Sequence, residues 1–186
     1  MTVSLIQLWI PILAGGLLVW FASGLIHTVI KYHDSDYLKL ANEDEVATAL
    51  RNGSPSTGVH TLPHCTDMSQ MKDEAMQKRF IEGPVAFITV FPKGMPPMGK
   101  LMGQQIAYSV LGCLLIAYCA TVALPAGADY MTVFRFVSTV GFLTFGWATI
   151  PFAIWYGLRW PTIAKYLVDA LIYSLIAAGM FGWLWP

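Results

Sequence analysis

Charged residues are scarce in this chain of 186 residues, since Asp, Glu, Lys and Arg together make up 12% of it. A soluble domain has about 25% charged residues, so a soluble protein is not the expected class. A basic surplus is also missing, because 11 Lys and Arg balance 11 Asp and Glu. This balance argues against nucleic-acid binding. Three cysteines are too few, and an odd number, for a disulfide-stapled scaffold.

What the chain has instead is apolar sequence, which accounts for 56% of its residues and excludes intrinsic disorder. A helix needs about 20 predominantly apolar residues to cross a ~30 Å hydrocarbon core. Four stretches are long enough, at roughly 5–29, 102–125, 131–157 and 162–185. When a single segment crosses a bilayer, only a helix lets every backbone N–H and C=O group form a hydrogen bond within that segment. The predicted fold is an all-α membrane protein, a bundle of four transmembrane helices.

A small α+β extramembrane insert is predicted between helices 1 and 2. The predicted organisation is transmembrane helix 1 in 1–30, the insert in 31–101 and transmembrane helices 2–4 in 102–186. Within the insert, an acidic first turn at Asn42–Glu45 predicts a short helix, and Ser69–Phe80 has helical spacing. Val85–Phe91 lies between two prolines and predicts a strand, with Val59–Leu62 as its partner.

The basic residues predict the orientation. Residues 31–100 hold eight of the eleven Lys and Arg, and Arg159 and Lys165 flank the connection between the third and fourth spans. The positive-inside rule places these segments in the cytoplasm and both termini outside. The expected location is the bacterial inner membrane, with several passes.

A metal site is one candidate for chemistry in the insert. Its ligands would be the side chains of His60, His64, Cys65, Met68 and Met71, which fall within twelve residues. Imidazole, thiolate and thioether groups together suit copper. The alternative is that these residues have no shared role, because their spacing matches no zinc template. No cofactor is otherwise expected.

Asp169 is a second candidate, since a carboxylate about seven residues inside a span is a functional hypothesis by default. His27 lies at a similar predicted depth and is the expected partner, whereas Arg135 lies near the opposite surface. The structural alternative is that Asp169 reaches the interface or pairs with Lys165 one turn away. We expect Asp169 to face protein rather than lipid.

Small residues recur every four positions on two of the spans, where they let helices approach closely. These packing residues are Ala170, Ser174, Ala178 and Gly182 on the last span, and Ser109, Cys113, Ala117 and Thr121 on the second. They predict contacts with neighbouring helices, within the chain or between chains.

Four segments also carry a resemblance: HTVIKYHDSDY at 27–37, the ANEDEV helix start, IWYGLRW and the closing FGWLWP. They resemble an uncharacterised family of short bacterial inner-membrane proteins with four spans and the same large first insert. The resemblance implies a bacterial membrane location and no catalytic activity.

Three functions remain open from the sequence. The first is a non-enzymatic accessory or assembly subunit of a larger membrane complex, such as a respiratory or other electron-transfer complex. Its partners would be the lipid bilayer and other membrane subunits or further copies of itself. The absence of phosphate-binding, metalloprotease, serine-hydrolase and haem-attachment motifs favours this non-enzymatic role. The second is a copper- or haem-binding module that uses the insert. The third is a small proton-linked permease or channel centred on Asp169.

Overall fold

The computed structural model describes residues 3–186. Met1 and Thr2, the first residues of the predicted transmembrane helix 1, lie outside the described residues. In chain order the elements are α1 (Trp9–Leu25), α2 (Glu43–Gly53), β1 (Gly58–Leu62), α3 (Glu74–Glu82), β2 (Ala86–Val90), α4 (Met98–Ala123), α5 (Tyr130–Phe145), α6 (Ile150–Trp155) and α7 (Trp160–Trp183). The chain divides into two compact units, and the second of them is Leu38–Pro96.

The protein is mostly helical, and four of its described helical segments are long and apolar enough to cross a membrane. These segments are Leu5–Ile30, Met98–Ala123, Tyr130–Trp155 and Trp160–Trp183. The first segment contains three types of helix, since a 3-10 turn at Leu5–Leu8 precedes α1 and a π-helical turn at Ile26–Ile30 follows it.

The core of the helical unit lies where α1, α4, α5 and α7 meet, and the α5–α7 contact is the most extensive. Glycines make these approaches close. A Cβ added to Gly16 of α1 would come within 2.7 Å of the Val110 Cα on α4. One added to Gly141 of α5 would lie 2.9 Å from the Ser174 Cβ on α7.

The small-residue stripes of α4 and α7 lie at these helix contacts. Six of their members are buried: Ser109, Cys113, Ala117, Ala170, Ser174 and Ala178. Gly182 lies against the Tyr130 ring, which a Cβ would meet at 2.7 Å. Thr121 is only partly buried.

The third apolar segment, for which the sequence predicts one span over 131–157, is not one continuous helix. Helix α5 ends at Phe145, a 3-10 turn follows at Trp147–Thr149, and α6 begins at Ile150. Pro151 explains the break, because its ring clashes with the preceding turn and it has no N–H to donate. It therefore lies in the first turn of α6, where neither property costs stability.

The Leu38–Pro96 unit contains a two-stranded antiparallel sheet in which Gly58 pairs with Val90 and Leu62 with Ala86. The predicted helix over 69–80 is instead a 3-10 turn at Met68–Lys72 followed by α3. Two aspartates explain the division. Asp67 accepts a hydrogen bond from the Ser69 N–H, and Asp73 adopts an extended conformation and accepts one from the Ala75 N–H.

Candidate functional site

The end of α1 folds back onto α7 and forms a polar cluster there. The π-helical turn carries His27, and Lys31 then adopts a left-handed conformation with φ 56°. This conformation is unusual outside glycine and reverses the chain direction. A 3-10 turn at Tyr32–Asp36 follows and contacts α7. Residues 31–37, which the sequence placed in the insert, therefore group with the helices.

Asp169 of α7 is buried, with 4% of its surface exposed. One carboxylate oxygen accepts a hydrogen bond from the Tyr32 hydroxyl. The other lies 2.9 Å from Nε2 of His33. Both partners come from the turn after α1, so the carboxylate ties the two helices together.

His33 lies between two carboxylates. Its Nδ1 is 2.9 Å from an Asp36 oxygen, while its Nε2 faces Asp169. Its ring stacks on the His27 ring, with centroids 4.8 Å apart and planes 3° from parallel. Tyr166 packs near the same ring at 5.3 Å. These contacts hold the imidazole in one orientation.

Asp36 forms the outer part of the cluster. Its second oxygen accepts hydrogen bonds from Lys165 Nζ at 2.8 Å and from the Thr162 hydroxyl at 2.9 Å. Burial acts to raise the pKa of this carboxyl. The hydrogen bonds from Lys165, His33 and Thr162 outweigh it and lower the pKa from its ordinary 3.8 to about 2. Asp36 is therefore ionised at neutral pH.

Lys165 and Arg159 lie at the edge of the cluster nearest the connection before α7. Lys165 Nζ also donates to the Tyr32 carbonyl at 2.7 Å and to the Ser35 hydroxyl at 2.8 Å. Arg159 donates to the Ser35 carbonyl at 2.7 Å. The turn after α1 is thus held by charged groups of one helix and the loop preceding it.

The expected partners of Asp169 need correction. Neither His27 nor Lys165 hydrogen-bonds to it: His27 Nδ1 donates to the Ser23 carbonyl at 2.9 Å, and Lys165 pairs with Asp36. The reason is the reversal at Lys31, which brings Tyr32 and His33 back over α7. Arg135 is exposed and forms no ion pair with any residue in 3–186.

The five candidate metal ligands of the insert form no common centre in the part of the chain that the structure describes. His60 donates from Nε2 to the Ser56 carbonyl, His64 pairs through Nδ1 with Thr61, and the Cys65 thiol donates to the Asp67 carbonyl. Met68 and Met71 are exposed. A copper site here stays a prediction.

The described residues bring together another potential metal-binding group, formed by His27, His33 and Asp169. One ligand atom from each lies within 4.8 Å of the others. Sequence reasoning found two of these residues and missed His33, together with Tyr32 and Asp36. The signal that was available is the dense polar run at 31–37, which directly follows the first span.

A groove of about 400 Å³ opens beside the cluster between α1 and α4. It is mainly apolar, and its lining residues are Trp20, Ser23, Gly24, His27, Thr28, Met98, Leu101, Met102 and Gln105. The indole N–H of Trp20 is buried without a hydrogen-bond partner among the described residues.

Comparison with known proteins returned no matching family model, curated protein or solved structure.

Proposed function

We propose that the chain is a multi-pass protein of the bacterial inner membrane and serves as a non-enzymatic accessory subunit of a larger membrane complex. The four apolar helical segments support residence in a bilayer, because each is long enough to cross ~30 Å of hydrocarbon. The hydrogen-bond network between the turn after α1 and α7 supports a structural role for its carboxylates.

The observation that carries the accessory role is the apolar surface of the Leu38–Pro96 unit. Neither of its helices buries a residue, and several large apolar side chains are exposed. Val59 is 63% exposed, Phe91 is 78% exposed and Ile81 is 85% exposed. A two-stranded sheet with so little buried apolar surface is marginal alone in water. Covering these side chains with a partner would supply the missing burial.

The test compares the wild-type protein with an Ile81→Ser, Phe91→Ser double variant after extraction in a mild detergent. Burying a large apolar side chain contributes about 1.5–3 kcal/mol, so losing two should reduce complex formation at least tenfold. Native gels report the size of the assembly, and mass spectrometry identifies its chains. Lys93→Ser is the matched control, because Lys93 is exposed close to Phe91.

Support requires an assembly that contains a different membrane protein and is lost in the double variant but retained in Lys93→Ser. A wild-type protein that runs alone, or only with copies of itself, would contradict the accessory role. Equal assembly by both variants would also contradict it. Resistance of the wild type to alkaline carbonate extraction tests membrane integration separately.

A further inference from the structure

We propose that His27, His33 and Asp169 bind one divalent transition-metal ion of the class that includes Zn²⁺ and Fe²⁺. Two imidazoles and a carboxylate on one side of an ion form a familiar ligand set for these metals and leave positions for water or another ligand. This site is separate from the histidines and Cys65 of the insert.

The three ligand groups are already close. One atom from each lies within 4.8 Å of the others, and the His33 and Asp169 atoms are 2.9 Å apart. Two ligands on one zinc ion lie about 3.3 Å apart when each bond is ~2.0–2.1 Å. The remaining movement is on the order of 1 Å, and the exposed His27 side chain can supply it.

The second observation is how both imidazoles are oriented. His27 Nδ1 donates to the Ser23 carbonyl at 2.9 Å, and His33 Nδ1 lies 2.9 Å from the Asp36 carboxylate. Metal-bound histidines typically direct their non-coordinating nitrogen to a backbone carbonyl or a carboxylate in this way. His27 can therefore present Nε2 to an ion, and His33 can do so once its Nε2 gives up the hydrogen bond to Asp169. Lys165 holds the Asp36 carboxylate in place.

Metal binding would exchange a single hydrogen bond. The proton shared between His33 Nε2 and Asp169 leaves to solvent, and the nitrogen and the freed oxygen then both coordinate the ion. Tyr32 keeps its hydrogen bond to the other Asp169 oxygen. An ion with two positive charges takes the place of one proton beside the Asp169 carboxylate, so electrostatic attraction favours the exchange.

A route to the site exists. His27 belongs to both the ligand cluster and the wall of the groove between α1 and α4. Met98 and Gln105 line the same groove, so its wall offers weak thioether and amide ligands in addition to the His27 imidazole.

The test uses the full chain in detergent, stripped with a chelator and then loaded with Zn²⁺ or Co²⁺. Metal analysis after desalting gives the stoichiometry, and Co²⁺ absorption with Zn²⁺ competition gives the affinity. The informative variant is His27→Phe, which removes one ligand but retains a ring to stack on His33. Because loss of an outer-shell partner alone costs 10–100-fold in affinity, removing a ligand should cost at least about 100-fold.

The matched control replaces His60, His64 and Cys65 together with Ala. The proposal expects one ion per chain in the wild type and the control, with the affinity loss confined to His27→Phe. Zn²⁺ should likewise raise the melting temperature of the wild type and the control more than that of His27→Phe, since a ligand specific for the folded state raises its stability. A wild type that retains no ion would overturn the proposal, as would unchanged affinity in His27→Phe or loss of the ion in the insert control.

Discussion

Asp36 and Lys165 form the ion pair that holds the turn after α1 against α7. The Asp36 side chain is 4% exposed and that of Lys165 is 23% exposed. Removing one member of a buried pair costs more than the pair contributes, because the remaining charge is left without a partner. Lys165 matters beyond the pair, since it also binds the Tyr32 carbonyl and the Ser35 hydroxyl.

We therefore expect Lys165→Met to lower the free energy of unfolding by roughly 2–4 kcal/mol. Methionine keeps much of the side-chain length but leaves the Asp36 carboxylate uncompensated. Denaturant titration in detergent micelles, followed by helix content, measures the loss. Lys78→Met is the control, because its pair with Glu82 is exposed and worth less than about 0.5 kcal/mol. Equal losses in the two variants would show that the Asp36 pair is not structurally important.

The burial of Asp169 could be predicted from its position beside the small-residue stripe, but its partners could not. Helical periodicity gives the face on which a residue lies, and this indicated protein rather than lipid. Tyr32 and His33 reach Asp169 only because Lys31 takes a left-handed conformation. Nothing in the local residue types required this conformation, since Lys31 is neither Gly nor Asn.

At the scale of elements, glycine determines how closely α1 approaches α4. Gly16 and Gly24 lie on the same helix but in different surroundings. A Cβ on Gly16 would meet the Val110 backbone at 2.7 Å, whereas one on Gly24 would meet nothing within 4 Å. The two positions separate the effect of packing from that of helix propensity.

Gly16→Ala should destabilise the helical unit by about 1–3 kcal/mol, because the α4 backbone must move to admit the methyl group. Gly24→Ala should be neutral or stabilising by up to about 1 kcal/mol, since alanine favours the helix. Thermal unfolding in the same detergent compares both with the wild type. The close approach would be disproved if Gly16→Ala were as stable as Gly24→Ala.

The start of α5 depends on an aspartate cap. The Asp129 side chain accepts a hydrogen bond from the Thr132 N–H at 3.1 Å and another from the Thr132 hydroxyl. These bonds from Thr132 lower the pKa of Asp129 below its usual 3.8. The ionised cap therefore stabilises the folded state above the ordinary pKa, and this contribution is lost as the pH falls through the lowered value.

We expect Asp129→Asn to retain the cap and to lose less stability than the wild type as the pH falls from neutral to values below the ordinary pKa of 3.8, because asparagine caps helices without titrating. Asp129→Ala removes the cap and should be the least stable of the three at neutral pH. Melting temperatures measured across this pH range test both statements. Parallel pH profiles for the wild type and Asp129→Asn would argue against an ionised cap.

Element boundaries show the limit of sequence periodicity. The spacing of apolar residues over 69–80 suits a helix throughout, yet capping by Asp73 divides the segment. Apolar content over 131–157 likewise conceals the break before Pro151. The strand pair was easier to predict, because prolines bound one run and both runs are rich in β-branched residues.

At the scale of the whole molecule, the helical unit has two distinguishable ends. At one end, the Gly127 N–H donates to the Pro186 carbonyl at 2.7 Å, and the Trp185 indole donates to the Pro125 carbonyl at 2.9 Å. The C-terminus thus lies beside the α4–α5 connection. At the other end, Arg159 and Lys165 contact the turn after α1.

This grouping leads to a prediction about orientation. The end with Arg159 and Lys165 also carries the insert, with eight further basic residues in 31–100, whereas only Arg135 lies toward the other end. Translocation disfavours basic residues in short loops, so the basic end should stay in the cytoplasm. The insert exceeds the ~60-residue length over which this rule holds well, and the short connection before α7 is therefore the stronger determinant.

A reporter that is active only outside the cytoplasm should work when fused after Pro186 and fail when inserted at Gly157, in the connection between α6 and α7. Gly157 is the appropriate control, because its φ of 75° marks a turn just before α7, whereas Pro186 follows the other end of that helix. A reporter that is active only in the cytoplasm should give the reverse pattern at the two positions. Cytoplasmic activity after Pro186 together with external activity at Gly157 would invert the orientation and place the insert outside. The exposed apolar side chains of the insert would then face partners on the external side of the membrane.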